Sequence, residues 1–97
     1  MSTEHQISRK VSGRKGLYVI KKGDERAALT FTILSPDRIV ADHTFVPESF
    51  RGTGAGFALV TRLVADARAE GFLIVPHCPY VNAQREKHPE WADVFTV

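Results

Sequence analysis

The chain has 97 residues, enough for one domain with a modest core. Its 43% hydrophobic and 25% charged residues suit a soluble globular fold, and no apolar run approaches the length of a membrane span. A formal net charge of +2 is too small to argue for nucleic acid, and one cysteine excludes an internal disulfide.

The N-terminal residues Met1-Ser2-Thr3-Glu4-His5-Gln6 are polar and carry no sign of a signal peptide. With the lone cysteine, this leads us to expect a cytoplasmic protein without a membrane partner. Residues 1–15 read as a flexible basic N-terminus, and 16–97 as the single domain. Arg9, Lys10, Arg14, Lys15, Lys21, Lys22 and Arg26 crowd the first quarter. No aromatic residues are interleaved there as a base-stacking surface would need, so the stretch reads as a solvated charged surface and no nucleic-acid partner is expected.

Residues 17–20 form a short β-type run and 22–25 a turn. Residues 27–34 alternate, with Leu29, Phe31 and Ile33 on one side and Thr30 and Thr32 on the other. After the turn Ser35-Pro36-Asp37, residues 38–46 alternate again, placing Ile39, Ala41, His43 and Phe45 on one face. Three strands joined by tight turns predict an antiparallel meander. A helix is expected from about residue 54 to 70, with Phe57, Val60, Val64 and Ala67 at helical spacing and Gly71 as its C-terminal cap. Residues 72–75 read as a buried strand that Pro76 ends. Residues 80–87 read as a short second helix after Pro79, and His88-Pro89-Glu90-Trp91 opens an irregular or helical tail. The fold class is α+β.

Between meander and helix lies Arg51-Gly52-Thr53-Gly54-Ala55-Gly56. Three glycines at alternate positions bare the turn of side chains. Its backbone N–H groups can point at an anion, and the helix N-terminus adds partial positive charge. Arg51 can add a charge-assisted hydrogen bond. The turn therefore predicts a phosphorylated ligand, against the alternative of a glycine-rich turn without one. It lacks the Lys-Ser/Thr of a P-loop and the spacing of a dinucleotide fingerprint.

The spacing of Arg51, Gly54 and Gly56 resembles the acetyl-CoA pyrophosphate loop of the GNAT acetyltransferases. Three further motifs, His43-Thr44-Phe45-Val46-Pro47, Cys78-Pro79-Tyr80-Val81 and His88-Pro89-Glu90-Trp91, are similar to those of a small, cysteine-containing GNAT-type family. The match covers roughly residues 16 to 95. The resemblance implies a minimal GNAT fold: meander, glycine loop, helix, strand and short C-terminal helix. It implies an acetyl-CoA-dependent N-acetyltransferase whose partners are acetyl-CoA and an amine acceptor, a protein lysine or a small amine. The implied cofactor-binding residues are Phe45 and Val46 beside the thiol-bearing arm, Arg51, Gly52, Thr53, Gly54, Ala55 and Gly56 at the pyrophosphate, and Asn82 from the second helix. Gln84 departs from the pattern, which has a tyrosine there, and Tyr80 is the candidate substitute. That departure leaves a non-catalytic acyl-CoA-binding or sensing module as the alternative.

His43 and Cys78 are the candidate catalytic residues. In one route His43 is a general base and a neutral amine attacks acetyl-CoA directly. In the other, Cys78 first takes the acetyl group as a thioester while His43 raises its thiolate fraction. The structural alternatives are a small buried cysteine and a hydrogen-bonded histidine on an apolar face. His77, His88 and Cys78 lack the spacing of a zinc module, so no metal is expected.

Overall fold

Two glycines in the left-handed region, Gly13 (φ 63°) and Gly23 (φ 60°), turn the first two hairpins of the chain. They join β1 (Ile7–Ser12), β2 (Lys15–Lys22) and β3 (Glu25–Ser35), and the turn at 36–37 leads into β4 (Arg38–Phe45). After a short 3₁₀ turn at Glu48–Phe50 come α1 (Ala55–Glu70), β5 (Leu73–Val75), α2 (Pro79–Lys87) and a second 3₁₀ segment, Pro89–Val94. The computed structural model describes residues 6–96.

The five strands lie in sequence order, β1 to β4 antiparallel and β5 parallel to β4. The meander thus has one strand more than the expected three. From Ile7 onward, the stretch read as a flexible basic N-terminus forms the edge strand β1; residues 1–5 lie outside the described residues. Pairing with β2 and charge contacts to α1 hold this strand, which buries little. Arg9 reaches Asp66 at 3.0 Å and Glu70 at 2.8 Å, and Arg62 donates to the Ile7 carbonyl. The buried Tyr18 hydroxyl donates to the same Asp66 at 2.8 Å. Burial pushes the Tyr18 phenol pKa up, so the group remains a donor.

The helices cover one face of the sheet. Tyr18, Leu29, Ile39 and Ala41 meet Leu59, Val60, Leu63 and Val64 of α1 in a single core that also takes in Val81, Trp91 and Phe95. Gly54 (φ 76°) starts α1 and Gly71 (φ 79°) ends it, its N–H bonded to the Ala67 carbonyl. Beyond Pro89–Val94 the tail returns to the sheet, where Phe95 bridges Ile74 and the Thr96 N–H reaches the Ile74 carbonyl at 2.9 Å.

One irregularity sets the position of the site. Phe31 pairs with Ala41 and Thr30 with His43, which leaves Asp42 as an extra residue in β4. Such a bulge reverses which face successive side chains take. Beyond it Thr44, opposite the buried Leu29, faces the helices. The expected placement of His43 on the apolar face with Ile39 and Ala41 is thereby corrected: it pairs with Thr30 on the other face and is exposed.

Gly16 lies across from Phe31, and a Cβ there would run into the Phe31 ring. Gly16→Ala should therefore cost roughly 1–3 kcal/mol of unfolding free energy, the range for overpacking. Urea denaturation would check this, and an unchanged midpoint would contradict the packing described.

Candidate functional site

Pro76 ends β5, and the chain turns tightly there, with the His77 N–H on the Val75 carbonyl at 2.9 Å. The Cys78 N–H then returns to β4 and takes the Ala41 carbonyl at 2.8 Å. The β4–β5 ladder runs only from Arg38 and Leu73 to Val40 and Val75. Beyond Val40 no ladder pairs β4 with β5, so the backbone of β4 from Asp42 to Phe45 has no strand neighbour on that side among the described residues.

The glycine turn follows β4 in the chain, after the short 3₁₀ turn at Glu48–Phe50. The Phe50 side chain is buried and anchors it. The Thr53 hydroxyl turns inward, donating to the Phe50 carbonyl at 2.6 Å and accepting from the Ala55 N–H at 3.2 Å. Gly52 (φ 79°) and Gly54 (φ 76°) both adopt a conformation that L side chains avoid. The next amides of α1, at Gly56 and Phe57, belong to the first turn, which has no intrahelical acceptors for them. Both residues line a cavity of about 240 Å³, together with Val46, Arg51, Gly52, Gly54 and Tyr80, among others. Arg51 is largely exposed and holds only a loose pair with Glu48 at 3.5 Å, so little opposes its swinging toward an anion.

Tyr80 sits over Gly56 so closely that a Cβ on that glycine would lie 2.9 Å from the phenol oxygen. Partial burial raises the Tyr80 pKa and keeps its hydroxyl protonated. The sequence marked Tyr80 only as a substitute for the missing tyrosine at Gln84. Its place at the glycine turn depends on how α1 and α2 pack.

On the other side of β4, Asp42, His43 and His77 help to line a cleft of about 550 Å³ that continues to Lys10, Lys15 and Thr30. Lys15 Nζ donates to Thr32 Oγ1 at 2.9 Å, and that hydroxyl donates to Asp42 Oδ2 at 2.6 Å. Among the described residues no helix covers this face. Cys78 is buried on the helix side, where its Sγ is 3.3 Å from Thr44 Oγ1. The structure therefore brings Cys78 to Thr44, while the bulge turns His43 toward the open face. Phe45 is exposed at the end of β4, and Val46 lines the glycine-turn cavity. Asn82 is engaged within α2, its Oδ1 accepting from Arg85 Nε at 2.9 Å.

A glycine turn with a bared helix end, next to a strand released from its neighbour, matches a known family. The model for GCN5-related N-acetyltransferases matches residues 17–94. The chain belongs to that family. Among solved structures, it superimposes on the NMR solution structure of a GCN5-like candidate N-acetyltransferase from Staphylococcus aureus. That similarity has a TM-score of 0.68 at 25% identity and covers 92% of this chain and 87% of the other. A search of curated proteins finds no match. The protein is thus an acetyl-CoA-dependent acetyltransferase with a GNAT fold, and acetyl-CoA is its cosubstrate.

The residues present fit that cosubstrate. The cradle is built from positions where a side chain would be strained or would clash, and its free donors suit a diphosphate. Gly54→Glu should abolish CoA binding in calorimetry, because it sets a carboxylate on the turn that lines the cavity, where it repels a diphosphate. The positive φ should also lower stability by about 1 kcal/mol or more. Wild-type affinity in the folded variant would refute the cradle.

Proposed function

We propose that this protein moves the acetyl group directly to an amine that enters through the cleft on the open sheet face, with His43 as the base. The observation that carries this reading is the bulge at Asp42. It turns His43 into the cleft at the point where β4 has lost β5. Acetyl-CoA, when bound, supplies an activated thioester carbon. The amides of Gly56 and Phe57, Arg51 and the Tyr80 hydroxyl hold its diphosphate, and the freed backbone of β4 aligns its amide-rich arm.

An amine arrives at neutral pH as an ammonium ion and must lose a proton before it attacks. An imidazole nitrogen of His43 takes that proton. The neutral amine then attacks the thioester carbon, the C–S bond breaks and CoA leaves as its thiolate, which takes the proton that the nitrogen sheds on becoming an amide; the proton held by His43 passes to solvent. Asp42, linked through Thr32 to Lys15, stands beside His43 in the cleft wall and offers a carboxylate to the incoming ammonium. Both a protein lysine and a small amine are chemically suitable acceptors.

Cys78 has a different role in this reading. Its thiol is buried against Thr44, and its backbone N–H sets the point where the strands separate. It positions the end of β4 and does not carry the acetyl group.

His43→Gln should lower kcat/KM on the order of a hundredfold while leaving CoA affinity unchanged. Near-normal kcat/KM would remove His43 from the chemistry. Cys78→Ala should retain turnover, and the wild-type protein mixed with acetyl-CoA should show no acetyl adduct at Cys78 in its intact mass. An adduct that forms within one turnover and vanishes in Cys78→Ala would instead establish the two-step route.

A further inference from the structure

The motif His88-Pro89-Glu90-Trp91 has no part in the chemistry above, yet it builds a stack of aromatic rings beside the cradle. The rings of His88 and Trp91 stack with centroids 4.4 Å apart and planes at 20°. Phe57 joins them, 5.9 Å from Trp91 at 24° and 5.3 Å from His88. His88 Nδ1 is 2.9 Å from Glu90 Oε2, which fixes the imidazole in the array. Trp91 is buried, but Phe57 remains 41% exposed despite its two aromatic neighbours. Phe57 also lines the glycine-turn cavity, its side chain following directly on the bare Gly56. An exposed ring, braced from behind and next to an anion cradle, offers what a nucleobase needs: a π face at fixed distance from a phosphate site.

We propose that Phe57, braced by His88 and Trp91, is the resting place of the adenine ring of the coenzyme. This inference rests on the cradle reading and extends it from the diphosphate to the purine. The aromatic array would then discriminate the nucleotide-bearing coenzyme from phosphopantetheine, which has the thiol-bearing arm and one phosphate but no base. Phe57 lies on the solvent side of the first turn of α1, so replacing it need not disturb the core.

The test is calorimetric titration of the wild type, Phe57→Leu and Phe57→Tyr with CoA and, separately, with phosphopantetheine. Leucine keeps the apolar cover and loses the π face; tyrosine keeps both. Phe57→Leu should weaken CoA about tenfold, within the range measured for one base stacked on one ring. Its affinity for phosphopantetheine should stay at the wild-type value, and Phe57→Tyr should bind CoA as the wild type does. The proposal is overturned if Phe57→Leu binds CoA normally or loses both ligands to the same extent. A wild-type protein that binds neither ligand would show a distinct failure, that of the cradle itself.

Discussion

The hydrogen bond from the Cys78 N–H to the Ala41 carbonyl determines how much of β4 is left free. A parallel neighbour would ordinarily continue to take the amides and carbonyls of β4. Here Pro76 has no N–H to give, the chain turns, and this bond is made at the parting of the two strands. From that point β4 has polar backbone groups on its β5 side that need partners. Groups of this kind suit an amide-rich ligand, and this stretch of β4 precedes the glycine turn at the start of α1 in the chain.

The glycine turn and the sheet-face cleft are built differently. The cradle is made of backbone, held by the buried Phe50, the inward-turned Thr53 and glycines whose φ angles exclude other residues. Its electrostatics come from the first turn of α1 and therefore need few charged side chains. The cleft is made of side chains on the uncovered sheet face: Asp42, His43 and His77 at one end, Lys10 and Lys15 at the other. In the proposed reading, main-chain geometry holds the cosubstrate and side chains of the open face meet the acceptor.

The sequence disclosed those parts that depend on local pattern. Alternation in β3, the apolar stripe of α1, the glycines of the turn and Pro79 at the start of α2 all state their conformation within a few residues. The turn lines a cavity through Arg51, Gly52, Gly54 and Gly56. What depends on partners was not legible. The strand β1 buries almost nothing and is held by β2 and by Arg9 on Asp66 and Glu70, so its own residues read as a charged tail. The row Ile39, Ala41, His43, Phe45 looks like unbroken alternation, because a bulge is decided by the register with β3 and leaves no local mark. That one residue moved His43 away from the apolar face and put Thr44 against Cys78. The closeness of Tyr80 to Gly56 and of Phe57 to Trp91 likewise arises only when α1, α2 and the tail pack together.

The central claim is that the bared start of α1 and the released end of β4 form one continuous coenzyme site. Amide chemical shifts report it residue by residue. In a titration of the ¹⁵N-labelled protein with CoA, the largest shifts should fall at Gly54, Gly56 and Phe57 and along β4 beyond Ala41. Residues of the β1–β2 hairpin turn should be left in place. Shifts concentrated elsewhere, with the amides at 54–57 unmoved at saturation, would contradict it.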